Sequence, residues 1–183
     1  NAGTTNIDST LLADLRKKTT YPPIFYSSTN TTFYTDTILA PQAQRDTDAP
    51  DLGYHYDPID YLASCVVSNA TLTLTNGVAL AYYDYIGVWL HNGGRLVSCG
   101  TPAQRNYLVH YSLVQEQSAN LTASGTAMPF NPWHTDTSRN PSIALRFTTL
   151  VAPAGANYVA YTGESGWGIS TFDLQDCEVY GAG

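Results

Sequence analysis

Apolar residues in the middle of the chain recur two positions apart, and the same pattern returns sixteen residues later. Each copy has two apolar residues two positions apart, then an Asn-Gly pair, then another apolar residue. The matched positions are Leu72, Leu74, Asn76, Gly77 and Leu80, which align with Val88, Leu90, Asn92, Gly93 and Leu96. Alternation is typical of a strand, and Asn-Gly is typical of a tight turn. The pattern therefore predicts a solenoid, in which short strand-rich repeats stack on one continuous core.

The repeat also predicts which side chains face the core. We expect aliphatic residues of successive turns to lie directly over one another, with Leu90 stacked on Leu74. Their neighbours Thr73, Trp89 and Arg95 would then point outward. Each fully buried aliphatic side chain contributes about 1.5–3 kcal/mol, so these rows would supply much of the stability.

The first twenty residues carry a helical pattern. Asp8 or Ser9 can cap the helix, and a stripe of leucines followed by basic residues suits its body and its C-terminal end. We divide the chain into residues 1–60, with this helix, an extended segment and an acidic, aromatic lead-in, and residues 61–183, with the solenoid turns, which we expect to continue beyond the C-terminus. Segments 100–106 and 115–140 are predicted to be loop excursions.

The strand and corner pattern is similar to that of bacterial right-handed parallel β-helix proteins, the group that includes pectate-lyase-like folds. The segments that carry the resemblance are 71–80, 88–102 and 172–181. Segment 46–61 also resembles a stretch that precedes the turns in large, uncharacterised bacterial surface or secreted proteins. The resemblance implies an all-β, right-handed parallel β-helix with a short N-terminal helix and long loops, at an extracellular or cell-surface location. It carries no catalytic motif.

Composition narrows the classes of partner. Charged residues make up 13% of the chain, the net charge is −7 and the pI is near 4.7, with no run of Lys or Arg. Phosphate binding needs clustered positive charge, so we expect no nucleic-acid partner. The longest apolar run is interrupted by Asp84 and is too short for a bilayer, so we expect no membrane insertion.

Three cysteines, Cys65, Cys99 and Cys177, lie far apart in the sequence without metal-binding spacing. The preferred interpretation is three small buried side chains in strands. The alternative is one disulfide and a free thiol.

An acidic segment is the candidate metal site. Asp46, Asp48 and Asp51 could supply oxygen ligands to calcium, and Asp57 and Asp60 follow closely. The alternative, which we favour, is that these aspartates cap turns by accepting hydrogen bonds from backbone amides. No other cofactor is expected.

Aromatic residues are the candidate carbohydrate-binding groups, because exposed flat rings can stack on sugars. The candidates are Trp89, Tyr83, Tyr85, Trp133 and Trp167. The alternative is that these rings fill the junctions between the solenoid turns and the inserted loops.

The favoured function is a structural or adhesive module of a secreted or surface protein that binds polysaccharide. The alternative is a fragment of a carbohydrate-active enzyme, either a polysaccharide lyase or a glycoside hydrolase, which needs paired carboxylates or a base with a cation. The outward candidates for such chemistry are Asp84, Arg95, Arg105, Asp173, Asp176 and Glu178, which surface solvation also explains. A third hypothesis is a trimeric phage tail-spike segment.

Overall fold

The computed structural model describes residues 6–16, 18–19, 21–27, 30–43, 58–83, 87–114, 129–133, 139–156, 169 and 171–182. These residues form one short α-helix, fifteen strands and a 3-10 turn at Tyr111–Leu113. The elements are α1 (Ser9–Leu15), β1 (Ile24–Tyr26), β2 (Thr32–Phe33), β3 (Thr37–Leu39), β4 (Tyr61–Ala63), β5 (Cys65–Ser68), β6 (Thr71–Leu74), β7 (Ala79–Tyr82), β8 (Val88–His91), β9 (Arg95–Cys99), β10 (Asn106–His110), β11 (Phe130–Trp133), β12 (Ser142–Arg146), β13 (Thr148–Ala156), β14 (Thr171–Gln175) and β15 (Glu178–Ala182).

These strands form three parallel sheets. The first has the order β1-β4-β7-β10-β13-β15, the second β11-β8-β5-β2, and the third β14-β12-β9-β6-β3. From β1 to β12 the chain passes through the first, second and third sheets in that order four times, and we call each passage a rung. The predictions of an all-β fold with stacked parallel strands and of a short N-terminal helix are confirmed. The strands β1, β2 and β3 come from the extended segment predicted within residues 1–60, and each is a terminal member of its sheet.

The helix α1 begins where the sequence predicted it. Asp8 is the N-cap, and its Oδ1 accepts hydrogen bonds from the backbone amides of Thr10 at 2.9 Å and Leu11 at 3.1 Å. These bonds satisfy two of the amides that have no partner inside a first helical turn, and they lower the pKa of the Asp8 carboxyl. Over the described residues, no helix has the length and apolarity needed to cross a bilayer.

The predicted register between turns is wrong. Leu72 lies beside Leu96, and Leu74 lies beside Ser98, because β6 pairs with β9 in the third sheet. Leu90 belongs to the second sheet, where its partner in β5 is Val67. The sixteen-residue match therefore aligns a third-sheet strand with a second-sheet strand of the next rung. The two segments look alike because each ends in an Asn-Gly corner, with Gly77 and Gly93 both at φ near +80°, as a left-handed turn requires.

The core lies between the three sheets and consists of rows of inward side chains. In the first sheet Tyr61, Leu80, Leu108 and Leu150 are successive neighbours, each 3% exposed or less. In the third sheet Leu72, Leu96 and Ile143 form a matching row. The six aliphatic residues predicted to be inside are all buried: Leu72, Leu74, Leu80, Val88, Leu90 and Leu96.

A second hydrophobic cluster lies on the outer side of the first sheet. Its members Leu62, Ala81 and Val109 are register neighbours on β4, β7 and β10, and all are buried. The alternation of apolar and polar residues in the sequence predicted only one buried face for each strand, so it did not predict this cluster. The uninterrupted apolar segment Ala79–Tyr82, buried at every position, is the pattern of a strand covered on both faces.

A polar network crosses the corner between the third and first sheets. The buried Asn106 donates from Nδ2 to Ser98 Oγ at 2.8 Å and accepts at Oδ1 from the Val78 amide at 3.0 Å. Ser98 Oγ is also 2.8 Å from Thr148 Oγ1 at the start of β13. Each of these buried polar side chains thus has a hydrogen-bond partner, which avoids the cost of desolvating it alone.

The preferred interpretation of the cysteines is corrected in part. All three are free thiols, and only Cys65 is fully buried, while Cys99 is exposed and Cys177 is half-buried. Cys65 faces the core and Cys99 faces outward because they occupy opposite phases of the alternation in β5 and β9. Burial raises the pKa of the Cys65 thiol to about 12, so this group is a neutral core side chain at physiological pH.

Candidate functional site

A groove of about 420 Å³ lies on the outer face of the third sheet. Its floor is formed by Val97 on β9 and Ala144 on β12, which are register neighbours, and Asp173 on β14 continues the same outward row. The parallel row beside it consists of Cys99, Arg146 and Gln175. The small side chains of Val97 and Ala144 are bordered by the longer side chains of Arg146 and Gln175 in the second row and by Asp173 at the end of the first row. The depression spans three neighbouring strands, a length of about 10 Å.

The polar groups around the groove offer both hydrogen-bond donors and acceptors. The Asp173 carboxylate accepts a hydrogen bond from Gln175 Nε2 at 3.2 Å, which fixes these two side chains side by side. The exposed Arg146 guanidinium lies 5.3 Å from the centre of the Phe147 ring. The site therefore combines one cation, one anion and one amide above an apolar floor.

The wall of the groove next to the first sheet is formed by Gly100 and Thr101. The Gly100 amide donates to the Arg146 carbonyl oxygen at 3.0 Å, and a Cβ atom at Gly100 would overlap the Phe147 carbonyl oxygen. Only glycine fits this close approach of two rungs. Thr101 then begins a short turn in which its Oγ1 accepts from the Gln104 amide at 3.1 Å.

A second polar cluster lies around the same corner, on the outer face of the first sheet. Arg105 donates from Nε to Thr149 Oγ1 at 3.2 Å and forms an ion pair with Glu178 at 3.6 Å. Glu178 Oε2 also accepts from the Tyr180 hydroxyl at 3.2 Å, and this hydrogen bond raises the pKa of Tyr180. Tyr180 and the nearby Tyr107 are each about half exposed. These contacts satisfy Arg105 and Glu178 within the protein, so the cluster stabilises the corner.

The predicted carbohydrate-binding rings are only partly within the described residues. Tyr83 follows β7, is 9% exposed and stacks on Phe25 with the ring centres 5.5 Å apart. Trp89 faces outward from β8, is half-buried and meets His91 edge to face at 4.7 Å. Tyr83 therefore lies at the end of a first-sheet strand, whereas Trp89 lies on the second sheet. Trp133 belongs to β11, its side chain is outside the described residues, and so are Tyr85 and Trp167.

The candidate calcium ligands Asp46, Asp48 and Asp51 also lie outside the described residues. In the part of the chain that is described, no three His, Cys, Asp or Glu side chains come close enough to hold a metal ion. Asp60, at the end of the same acidic segment, is buried and accepts hydrogen bonds from the amides of Gln42, Ala43 and Ala79 at 2.7–2.8 Å. For Asp60 the interpretation as a backbone-binding aspartate is confirmed.

Two histidines are shielded from solvent to different degrees. His110 is fully buried, contacts the Tyr82 ring edge to face at 5.2 Å, and has its Nδ1 2.7 Å from Ser112 Oγ. Burial lowers the pKa of His110 and of the half-buried His91. Both imidazoles are therefore held predominantly neutral at pH 7.

The outward charged residues named from the sequence fall into separate places. Asp173 lies in the groove, Arg105 and Glu178 form the corner cluster, and Arg95 donates to Ser142 Oγ at 3.1 Å. Asp84 is outside the described residues. Arg146 and Gln175 were not among the residues named from the sequence. The pairing of β12 with β14 brings Arg146 to this site, whereas Gln175 lies two residues after Asp173 on the same face of β14.

No protein-family model, curated protein or solved structure matches this chain. The class of the protein therefore follows from its fold, which is all-β with three stacked parallel sheets and, in the described residues, one short helix. The arrangement is compatible with a β-helix-like solenoid.

Proposed function

We propose that this chain is a right-handed parallel β-helix module of a secreted or cell-surface protein and that it binds polysaccharide. The repeated passage through the three sheets in one order supports a solenoid. Right-handedness is favoured because a crossover between parallel strands of one sheet is right-handed in nearly all proteins. The low content of charged residues suits an extracellular module of this kind.

The groove on the third sheet is the surface that we assign to the saccharide. Sugar hydroxyls both donate and accept hydrogen bonds, and Asp173, Arg146 and Gln175 together provide both functions. The carbon face of a sugar ring can rest on the apolar floor of Val97 and Ala144. One positive and one negative side chain leave the groove without net charge, which favours a neutral saccharide. The observation that carries this proposal is the register that places Asp173, Arg146 and Gln175 around one apolar floor.

A glycan array followed by titration calorimetry tests the proposal. Asp173→Ala should weaken binding about tenfold or more, because it removes a charged acceptor whose bonds to ligand are worth about 1.5–3 kcal/mol. The matched control is Thr73→Ala, which is in the same outward row but outside the groove, and it should bind like the wild type. Absence of glycan binding by the wild-type protein, or equal binding by both variants, would overturn the proposal.

The predicted ring on the second sheet is tested in the same assay. Trp89→Ala should leave binding unchanged if the groove is the site, since Trp89 lies on a different sheet. Loss of glycan binding in Trp89→Ala, together with normal binding by Asp173→Ala, would indicate that the binding site lies on the second sheet.

A carbohydrate-active enzyme is the second candidate. It is favoured by one observation, the location of a carboxylate and a guanidinium, Asp173 and Arg146, in the same groove. A lyase needs a base together with a group that neutralises developing charge. Release of new sugar ends from a polysaccharide by the wild-type protein, lost in Asp173→Asn, would favour the enzyme over the binding module.

Calcium binding at Asp46, Asp48 and Asp51 is a further part of this proposal. It rests on the carboxylate-rich sequence, because hard cations prefer oxygen ligands. Calorimetric titration should show heat of binding that is lost in Asp48→Asn, and a titration without heat would remove the metal from the proposal.

A further inference from the structure

The backbone of Phe147 adopts a conformation that its side chain disfavours. Its φ is +44°, in the left-handed region, and the other non-glycine residues there are Asn69, Asn92 and Asp176 among the described residues. Asn and Asp tolerate this region, whereas a bulky aromatic residue is a genuine outlier in it. Asp176 occupies the equivalent corner one rung later, since β14 follows β12 in the third sheet and β15 follows β13 in the first. The left-handed turn at this corner therefore favours Asn, Asp or Gly over phenylalanine.

The corner is held by backbone hydrogen bonds that any residue could make. The Phe147 amide donates to the Gln175 carbonyl at 3.0 Å, and the Phe147 carbonyl accepts from the Asn106 amide at 3.1 Å. The close approach at Gly100 also involves backbone atoms alone, namely the carbonyl groups of Phe147 and Arg146. The turn thus depends on the backbone of Phe147 and not on its ring.

The ring has a different contact, with the guanidinium of Arg146 at 5.3 Å. Neighbouring residues of an extended strand point to opposite faces, so this contact needs the change of direction that the left-handed residue provides. A cation within about 6 Å of a ring centre is attracted to the ring. Arg146 lines the groove, so the strained corner holds a groove side chain in one place. Strain of this type is found where the surrounding structure maintains it for function.

We propose that Phe147 is a positioning residue that orients the Arg146 guanidinium toward the saccharide in the groove. This inference rests on the proposed function. Arg146 contacts the ligand and Phe147 acts through Arg146, so removal of the ring should weaken binding without weakening the fold.

The test compares Phe147→Asn, Phe147→Tyr and Arg146→Gln in the full chain. Phe147→Asn keeps a residue type that tolerates the left-handed turn but lacks the ring, whereas Phe147→Tyr keeps the ring. The first measurement is the ¹H–¹⁵N NMR signal of the Arg146 Nε–H group, which an adjacent ring shifts. The second is the affinity for the glycan identified by the array, with the melting temperature recorded for each variant.

We expect Phe147→Asn to melt at or above the wild-type temperature, to change the Arg146 Nε–H shift, and to bind the glycan about two- to fivefold more weakly. Phe147→Tyr should retain both the shift and the affinity. The double variant Phe147→Asn with Arg146→Gln should bind no more weakly than Arg146→Gln alone, because Phe147 acts through Arg146.

Two outcomes overturn the inference alone while the proposed function stands. These are wild-type affinity in Phe147→Asn, or independent losses that add in the double variant. A wild-type protein without glycan affinity overturns the proposed function, and this inference with it. If Phe147→Asn melts well below the wild type, the ring supports the fold. The chemical shift of the Arg146 Nε–H group is then measured in Phe147→Gly, and an unchanged shift rejects the positioning role.

Discussion

Leu96→Ala tests the register of the core most directly. Leu96 is fully buried between Leu72 and Ile143, the neighbours in its row, which are themselves 0% and 1% exposed. The backbone pairing of β6, β9 and β12 holds these neighbours in place, so they cannot move in to fill the space of the lost methyl groups. The cost should therefore lie in the upper part of the range for buried leucine, about 3–5 kcal/mol. For a chain of this length that corresponds to a fall in melting temperature of about 6–20 °C.

The matched control is Leu174→Ala, at an inward position of the terminal strand β14, where the side chain is 41% exposed. Partial exposure reduces the loss to about 1–2 kcal/mol. Urea unfolding followed by circular dichroism measures the free energy of unfolding of both variants. Equal losses would mean that Leu96 is not enclosed, and the described register would be refuted.

A double-variant cycle separates the two registers. Leu72→Ala and Leu96→Ala should show a coupling of about 0.5 kcal/mol or more, because the two side chains are neighbours. A larger coupling between Leu74→Ala and Leu90→Ala would support the sixteen-residue register instead.

Three further substitutions test other parts of the structure. Gly94→Ala should lower the free energy of unfolding by more than about 1 kcal/mol, because its Cβ would overlap the Val67 carbonyl oxygen; a neutral result in urea unfolding would contradict this close approach. Asp60→Asn should cost about 2–3 kcal/mol, since the amide group cannot accept all three backbone hydrogen bonds that the carboxylate accepts, and an unchanged melting curve would argue against the clamp. Burial lowers the pKa of His110 below its ordinary value of 6.5, so the unfolded chain binds the proton more readily and stability should fall as pH drops below 6.5. In melting scans from pH 8 to pH 5, the melting temperature of His110→Gln should fall less than that of the wild type. An equal fall in both proteins would exclude His110 as a cause.

Local patterns in the sequence could predict the elements of this fold. The alternation of Leu72, Thr73 and Leu74 correctly indicates a strand with one buried face, because side-chain direction along a strand depends only on the backbone. The same holds for the N-cap at Asp8, where the side chain bonds to amides two and three residues ahead. The continuous apolar segment at β7 also indicates a strand that is covered on both faces, although the interpretation based on the repeat did not use it.

The candidate groove could not be predicted in the same way. Asp173 and Arg146 have no local relation in the sequence, and each alone has the pattern of a solvated charge. They meet because β14 pairs with β12. The sequence between these two strands contains no pattern that predicts this pairing. The position of Phe147 beside Arg146 likewise depends on a left-handed turn that a phenylalanine does not signal.

The sequence by itself determined that the chain is all-β, which residues of a strand face the core, and where the short helix begins, because these properties depend on contacts within a few residues. Only the tertiary structure decided which strands are neighbours. Corresponding positions are separated by different lengths of chain, as in the pairs Tyr61 with Leu80, Cys65 with Val88 and Leu72 with Leu96. Parallel pairing is a contact between distant segments, and the corners between them look alike, so the register and the groove that it creates arise from the packing of the whole stack.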